Sequence, residues 1–284
     1  LRRVEGITQG DIEVLADRSF GQCEEIQSRC ERLNVEILTL QDAMYPERLR
    51  QITSPPCVLY IRGRLPAIDD EPVIAVVGTR SPSAYGQVTA KRLSARLAQA
   101  GAVIISGMAA GIDTAAHMGA LGSDRPTVAV LGCGTDICYP KSNRRLYEDI
   151  MAYGALLSEY PPGVPPLAEH FPRRNRIMSG LSLGVVVVEA GPRSGALITA
   201  EYALEQGRDV FAVPGNIDSP ASAGTNALIA AGAVPVTGAY DVLSEYAQSF
   251  PDRINMRAAK APMGVYVQQE TPQAPDICAS PPQP

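Results

Sequence analysis

Apolar residues fall in short, evenly spaced runs from position 72 onward. Runs of strand length occupy 73–77, 103–106, 127–131, 155–159, 184–188, 209–213 and 234–236. Segments with helical periodicity fill the gaps at 84–100, 112–121, 142–153, 173–181, 195–206, 224–232 and 239–248. Continuous apolar runs belong to strands covered on both faces, and their alternation with helices predicts parallel strands joined by crossovers. The fold class is therefore α/β, a doubly wound, mostly parallel sheet. Its organising unit is 72–113, where a strand, a glycine turn, a helix and a second strand follow one another. A right-handed crossover brings both strand ends to one edge, so Gly78-Thr79-Arg80 and Ser106-Gly107 are expected to face a common crevice.

The flanks lack this rhythm. Residues 1–45 read as a small, polar N-terminal helical region with apolar positions at Ile12, Leu15, Ile26, Cys30 and Leu33. The chain opens on Leu1 rather than Met, so a preceding piece is expected. Residues 46–250 form the main domain, and within it 57–63 reads as a strand added at the sheet's edge. Residues 251–284 are rich in Pro, Gln and Ala without periodicity, the composition of a linker or disordered tail.

Composition narrows the chemistry. The chain holds 284 residues, 45% hydrophobic and 5% aromatic, which suits a core of small and branched aliphatic side chains. No apolar run reaches the length of a membrane span, so no membrane association is expected. Six cysteines without a Cys-x-x-Cys pair, and only His117 and His170, argue for free thiols in a reducing cytoplasm and against a metal site. The net charge of −5 argues superficially against a polyanionic partner. However, residues 1–71 carry 9 basic and 13 acidic side chains, whereas 72–250 carry 13 and 14. In a nearly neutral domain, local clustering of arginines decides what is attracted.

The strand ends carry Gly78-Thr79-Arg80, Ser106-Gly107, Gly132-Cys133-Gly134, Glu159-Tyr160, Glu189 to Gly195 and Val213 to Asn216. Glycine turns with helix starts behind them expose amides to anions. Ser106, Ser194 and Thr225 serve equally well as helix caps. None of these turns matches Gly-x-Gly-x-x-Gly or the P-loop pattern, so ordinary dinucleotide or triphosphate binding is disfavoured and no cofactor is expected.

The sharpest local signal is His170-Phe-Pro-Arg-Arg-Asn-Arg176. Three arginines at a helix start oppose the dipole, so they read as a phosphate clamp with Phe171 as a stacking face. Lys141, Arg144, Arg145 and Arg193 follow other strands on the same edge and extend the patch, a solvated role being as good a reading for Lys141 and Arg145. Catalytic constellations are weak. Asp113 and His117 share a helix face at i, i+4, but capping and packing explain them, and Glu159 and Glu189 are better placed to hold arginines than to act as acid and base.

Together these residues resemble the DNA-processing protein A family (DprA, also called Smf). The resemblance spans about 44–245 and includes Val77-Gly-Thr-Arg80, Ser106-Gly-Met-Ala-Ala-Gly-Ile-Asp113, Tyr139-Pro140, Phe171-Pro-Arg-Arg-Asn-Arg176, Ser194-Gly-Ala-Leu-Ile-Thr-Ala200 and Gly224-Thr-Asn226. It implies an extended Rossmann-like fold without catalytic activity that binds single-stranded DNA, forms a homodimer and loads the RecA recombinase onto DNA in natural transformation. By match, Arg80, Arg174, Asn175 and Arg176 belong to the DNA site. Phe171, Ser106, Gly107, Arg193, Ser194 and Gly195 line it, and Arg173 joins them through the arginine cluster. The apolar helix containing Asn226, Leu228 and Ile229 is the implied dimer interface. Residues 1–45 resemble the remains of a sterile-alpha-motif-like domain. The residues also leave open a Rossmann-like nucleoside-monophosphate phosphoribohydrolase, with Glu189 before a Gly-rich helix start. Gly-Pro-Arg-Ser-Gly in place of that group's Pro-Gly-Gly-x-Gly-Thr speaks against it. A nicotinamide-dependent enzyme is a weaker rival.

Overall fold

The computed structural model describes residues 20–262 without interruption, together with Thr8, Gly10, Ile12 and Ala16. Helix α1 (Gly21–Leu33) leads into β1 (Glu36–Thr39), a short α2 (Glu47–Arg50) and β2 (Val58–Gly63). The regular part then runs β3 (Val73–Val77), α3 (Ala84–Gln99), β4 (Val103–Ser106), α4 (Ile112–Leu121) and β5 (Thr127–Leu131). It continues through α5 (Arg144–Tyr153), β6 (Ala155–Ser158), α6 (His170–Leu181), β7 (Gly184–Val187) and α7 (Gly195–Glu205). The last described elements are β8 (Asp209–Ala212), α8 (Ala223–Ala230), β9 (Val234–Pro235), α9 (Ala239–Leu243) and α10 (Met256–Lys260).

Nine strands form one sheet in the order β1-β2-β6-β5-β4-β3-β7-β8-β9. The pairings from β6 across to β9 are parallel, and only β1–β2 and β2–β6 are antiparallel. From β3 the chain winds one way to β6, then returns through α6 to pair β7 on β3's other side. The winding thus reverses between β3 and β7, the place where doubly wound sheets open a ligand crevice at their carboxyl edge.

Side-chain alternation along β3 shows why its run is unbroken. Val73, Ala75 and Val77 face a core shared with Leu49 of α2, Ile177, Met178 and Leu181 of α6, and Ala196, Ala200 and Ala203 of α7. Ile74 and Val76 face the opposite core with Leu93 and Leu97 of α3 and Ile112 and Ala116 of α4. Both faces are dry, so every position of the strand must be apolar. A third cluster seats α5 through Leu146, Tyr147 and Ile150 on Ala129, Leu131 and Leu156.

Three expectations are corrected at the flanks. Residues 36–39, read as part of a helical region, are the sheet's edge strand. Glu36 and Ile37 pair with Ile61 and Tyr60 of β2, and Leu38 is 5% exposed. The strand at 57–63 therefore lies one place in from the edge and runs antiparallel to β6, where Tyr60 pairs with Ser158. Residues 251–262, read as linker, pack on the domain: Ile254 and Ala259 join the α3 core, and the Asn255 amide donates to the Ala100 carbonyl at 2.8 Å. The side chain of Asn255 caps α10 by accepting from the amides of Arg257 and Ala258. With two apolar anchors in twelve residues, this segment has no helical period to read. The tail expected over 263–284, like most of 1–19, lies outside the described residues.

Candidate nucleic-acid interface

A cleft of about 760 Å³ opens where the winding reverses. One wall is the β3–α3 turn, Gly78-Thr79-Arg80. The other is the β7–α7 turn, Gly191 to Gly195, and the first turns of α6 close the third side with Phe171, Arg174 and Asn175. Tyr139, from the long loop after β5, completes the rim. Each wall is held by the fold itself. The Thr79 amide donates to the Glu189 carbonyl at 2.8 Å, which ties the two turns together. Ser194 caps α7 by accepting from the Ala196 amide at 3.3 Å. Pro172 sits in the first turn of α6, where a missing N–H leaves no helical bond unmade.

The rim is cationic and aromatic. The Arg80 guanidinium lies 5.4 Å from the centre of the Phe171 ring, and the Tyr139 ring tilts against Phe171 with centroids also 5.4 Å apart. Arg80 and Arg193 are exposed, and neither has an ion pair among the described residues. Gly111, at φ 85°, passes directly over the Arg80 backbone, where a Cβ would collide with the Thr79 and Arg80 carbonyls. That approach fixes where the Arg80 side chain begins.

Beneath the rim lies a buried polar floor. Arg174 is 3% exposed; its Nη1 donates to the carbonyls of Gly107, at 2.7 Å, and Val130. A Cβ on Gly107 would overlap the Arg174 guanidinium, so a side chain at that turn would have to displace it. Burial pushes the Arg174 pKa down to about 10 against the opposing pull of Asp113. Asp113 accepts from the amides of Gly107 at 3.2 Å and Ala109 at 3.4 Å, and burial raises its pKa despite Arg174 and those amides. His117 does not reach Asp113. Its Nδ1 pairs with the Thr127 hydroxyl at 2.8 Å, and burial together with Arg174 depresses its pKa to about 3.

The expected residues thus divide. Arg80, Phe171, Arg174, Asn175, Arg193, Ser194 and Gly195 line one cleft. Ser106 and Gly107 lie under it: the Ser106 hydroxyl donates to the Val76 carbonyl at 2.6 Å and caps no helix. Thr225 likewise donates to the Ser222 carbonyl, so of the three candidate caps only Ser194 acts as one. Arg173 and Arg176 point to a second cleft of about 510 Å³ on the other side of α6, with Glu159, Tyr202 and Gln206. There Arg176 Nη2 meets Glu159 Oε1 at 2.5 Å. The clamp expected from three neighbouring arginines is therefore not one clamp, because helical rotation turns residue 174 into the first cleft and residues 173 and 176 toward the second. Tyr85, 56% exposed, stands in a separate apolar groove with Val88, Arg92 and Pro214. Tyr139 is a site residue that motif spacing does not mark, and an aromatic in a loop at the carboxyl edge is the signal that points to it.

The carboxylates do what was expected in one case of two. Glu159 holds Arg176, whereas Glu189 holds no arginine: it is 3% exposed and accepts from the Ser83 amide at 2.9 Å and the Ser83 hydroxyl at 2.5 Å. A Cβ at Gly86 would overlap that carboxylate and push it aside. Among the described residues no three His, Cys, Asp or Glu side chains gather as a metal would require, and no helix is long and apolar enough to cross a membrane.

The family model described as DNA recombination-mediator protein A matches residues 36–247. The Smf protein of Synechocystis sp. is 44% identical over 241 residues, 82% of this chain, and the match spans 60% of that relative's own length. The X-ray structure of DNA processing protein A from Streptococcus pneumoniae superposes with a TM-score of 0.73 at 42% identity, covering 84% of this chain and 87% of that one. DNA processing protein A from Helicobacter pylori, solved to describe its single-stranded DNA binding mode, superposes at 0.67 with 29% identity, covering 78% and 98%. With three quarters of its length matched and the sheet superposed, the chain belongs to the DNA recombination-mediator protein A family.

Proposed function

We propose that the cleft between β3 and β7 binds single-stranded DNA without regard to sequence. The observation that carries this reading is Arg80 lying over Phe171, next to an exposed Tyr139 and an exposed Arg193 with no acidic partner among the described residues. Cations grip the phosphodiester backbone, which carries no sequence information, while aromatic faces stack on any unpaired base. A duplex keeps its base faces covered and cannot use the aromatic half of the site. The H. pylori relative's described single-strand binding supports the same direction.

Delivery of the bound strand to the RecA recombinase in natural transformation, in the cytoplasm, is the biological setting we infer from family resemblance. The thiols of Cys23, Cys30, Cys57, Cys133 and Cys138 are unpaired, which suits a reducing compartment. We also propose homodimerisation through α8. On that helix the Asn226 carboxamide closes on both backbone groups of Gly215, Leu228 packs toward the chain's own core, and Ile229 is half-buried. We read the site as a binding surface rather than a hydrolase. The phosphoribohydrolase alternative needs a free carboxylate at Glu189, and both oxygens of that group are engaged by Ser83.

A fluorescence anisotropy titration with matched single-stranded and duplex oligonucleotides over a salt series tests the reading. The expected result is tighter single-strand binding whose log K falls with log salt at about −0.7 for each phosphate contacted. Equal or tighter duplex binding overturns it. Release of free adenine from AMP would favour the hydrolase instead.

A further inference from the structure

Glu189 is buried beside the cleft, has no ion pair among the described residues, and takes no part in gripping a strand. Its place in the chain is fixed from both sides. The β3–β7 ladder runs on past the strands themselves: the Val188 amide donates to the Val77 carbonyl at 3.0 Å, and the Thr79 amide to the Glu189 carbonyl at 2.8 Å. One residue on, the Ala190 amide donates to the Ala221 carbonyl, and the Ala190 carbonyl accepts from the Gly224 amide, each at 2.8 Å. Glu189 is therefore a rigid point at the carboxyl end of β7, two residues before the wall that begins at Gly191.

From that point the side chain reaches across to the start of α3. Its two oxygens take the Ser83 amide at 2.9 Å and the Ser83 hydroxyl at 2.5 Å. The same hydroxyl oxygen caps the helix by accepting from the Gly86 amide at 3.0 Å. Two further bonds from a buried carboxylate are more than α3 needs, since Ser83 caps it without help. What the extra bonds do is close the turn. Glu189 holds it twice, by its carbonyl at Thr79 and by its carboxylate at Ser83. Arg80 lies between these two fastenings, with Ser81 and Pro82. A turn held at one end pivots, whereas a turn held at both ends keeps its shape.

We propose that Glu189 is a positioning residue for the cleft: by fastening both ends of the Arg80 turn to β7, it sets where the Arg80 guanidinium stands over Phe171 and across from the β7–α7 turn. This rests on the single-strand reading of the cleft. A guanidinium whose backbone is already fixed loses less freedom on meeting a phosphate, so the carboxylate adds to affinity through Arg80 without touching the strand. A double-variant cycle in oligothymidylate binding, read by fluorescence anisotropy, tests that route. Glu189→Ala should weaken binding about tenfold in the parent, but less than about twofold in the Arg80→Ala background, where no guanidinium is left to position. Glu189→Gln keeps an acceptor for the Ser83 amide and a donor for the Ser83 oxygen, so it should bind within about threefold of the parent. Glu189→Asp keeps the charge and loses the reach, and should bind as poorly as Glu189→Ala. Should Glu189→Ala fail to fold, Ser83→Ala repeats the cycle from the exposed partner, and its loss should likewise vanish with Arg80. Equal losses in both backgrounds mark a structural role alone and overturn the proposal, as does Glu189→Gln losing as much as Glu189→Ala. Arg80→Ala by itself separates the two claims: unchanged binding sinks the cleft reading, whereas weakened binding with additive losses sinks only the positioning.

Discussion

Helix α6 divides two clefts, of about 760 and 510 Å³, that use the same residue type in opposite ways. On the β3–β7 side, Arg80 and Arg193 have no ion pair among the described residues and stand over a floor in which Arg174 is bonded to carbonyls. On the far side, Arg176 is bound to Glu159, and its Nη1 also donates to the Arg173 carbonyl. Charge available to a ligand is thus set by the carboxylate within reach, not by the number of arginines along the helix. A paired guanidinium must give up its partner before it can hold a phosphate; a free one gives up only water.

The largest effect expected is structural. Arg174→Ala removes the cation of the buried floor and strands the Gly107 and Val130 carbonyls and Asp113 without it. It should lower stability by about 3–5 kcal/mol, read from the urea midpoint. Arg173→Ala, one position away and exposed, should change it by less than about 0.5 kcal/mol. Comparable losses in the two would erase the distinction between floor and surface.

Acidification probes the same floor. His117 is neutral in both states above pH 6.5 and contributes nothing there. Below that, the unfolded chain takes up a proton that the native site refuses until about pH 3, so stability falls as pH falls through this window. The slope should approach, without exceeding, about 1.4 kcal/mol per pH unit. Asp113, with its pKa raised, acts in the opposite sense: its contribution is full below the ordinary carboxylate pKa and is lost as pH rises through the native value. The His117 share is accordingly the difference between parent and His117→Gln, and parallel curves for the two would remove it.

Binding effects come next. Arg80→Ala and Phe171→Ala should each weaken single-strand binding by about 1–3 kcal/mol with little change in melting temperature. The smallest expected effect is the most pointed: Glu159→Gln releases Arg176, and single-strand binding should tighten by less than about 1 kcal/mol while the salt slope steepens. No change in slope would mean that Arg176 lies off the strand's course even when free.

The sequence reveals the frame more readily than the site. Strands β3 to β8 declare themselves because both faces are buried along most of each run, whereas in β9 Val234 and Pro235 are exposed. Strand β1 does not declare itself, since Glu36 is exposed, Ile37 and Thr39 are half-buried, and Leu38 alone is deeply buried. Among site residues, Arg80, Phe171 and Arg193 follow from strand order. The fates of Arg174 and Arg176 do not, because they depend on Gly107, Val130 and Glu159, which lie 67, 44 and 17 positions away in the chain. Spacing within a motif reports which side of a helix a residue takes, and only tertiary contact reports what waits there.

The contact of Arg80 with Phe171 also bears on how quickly the cleft can engage a strand. A long flexible side chain loses on the order of 2 kcal/mol of rotamer freedom when it is immobilised. Here much of that ordering is already complete in the empty protein, because the ring gives the guanidinium a resting place at the mouth. An arriving strand meets a charge already aimed, so capture depends less on rearranging the protein than on unstacking the DNA.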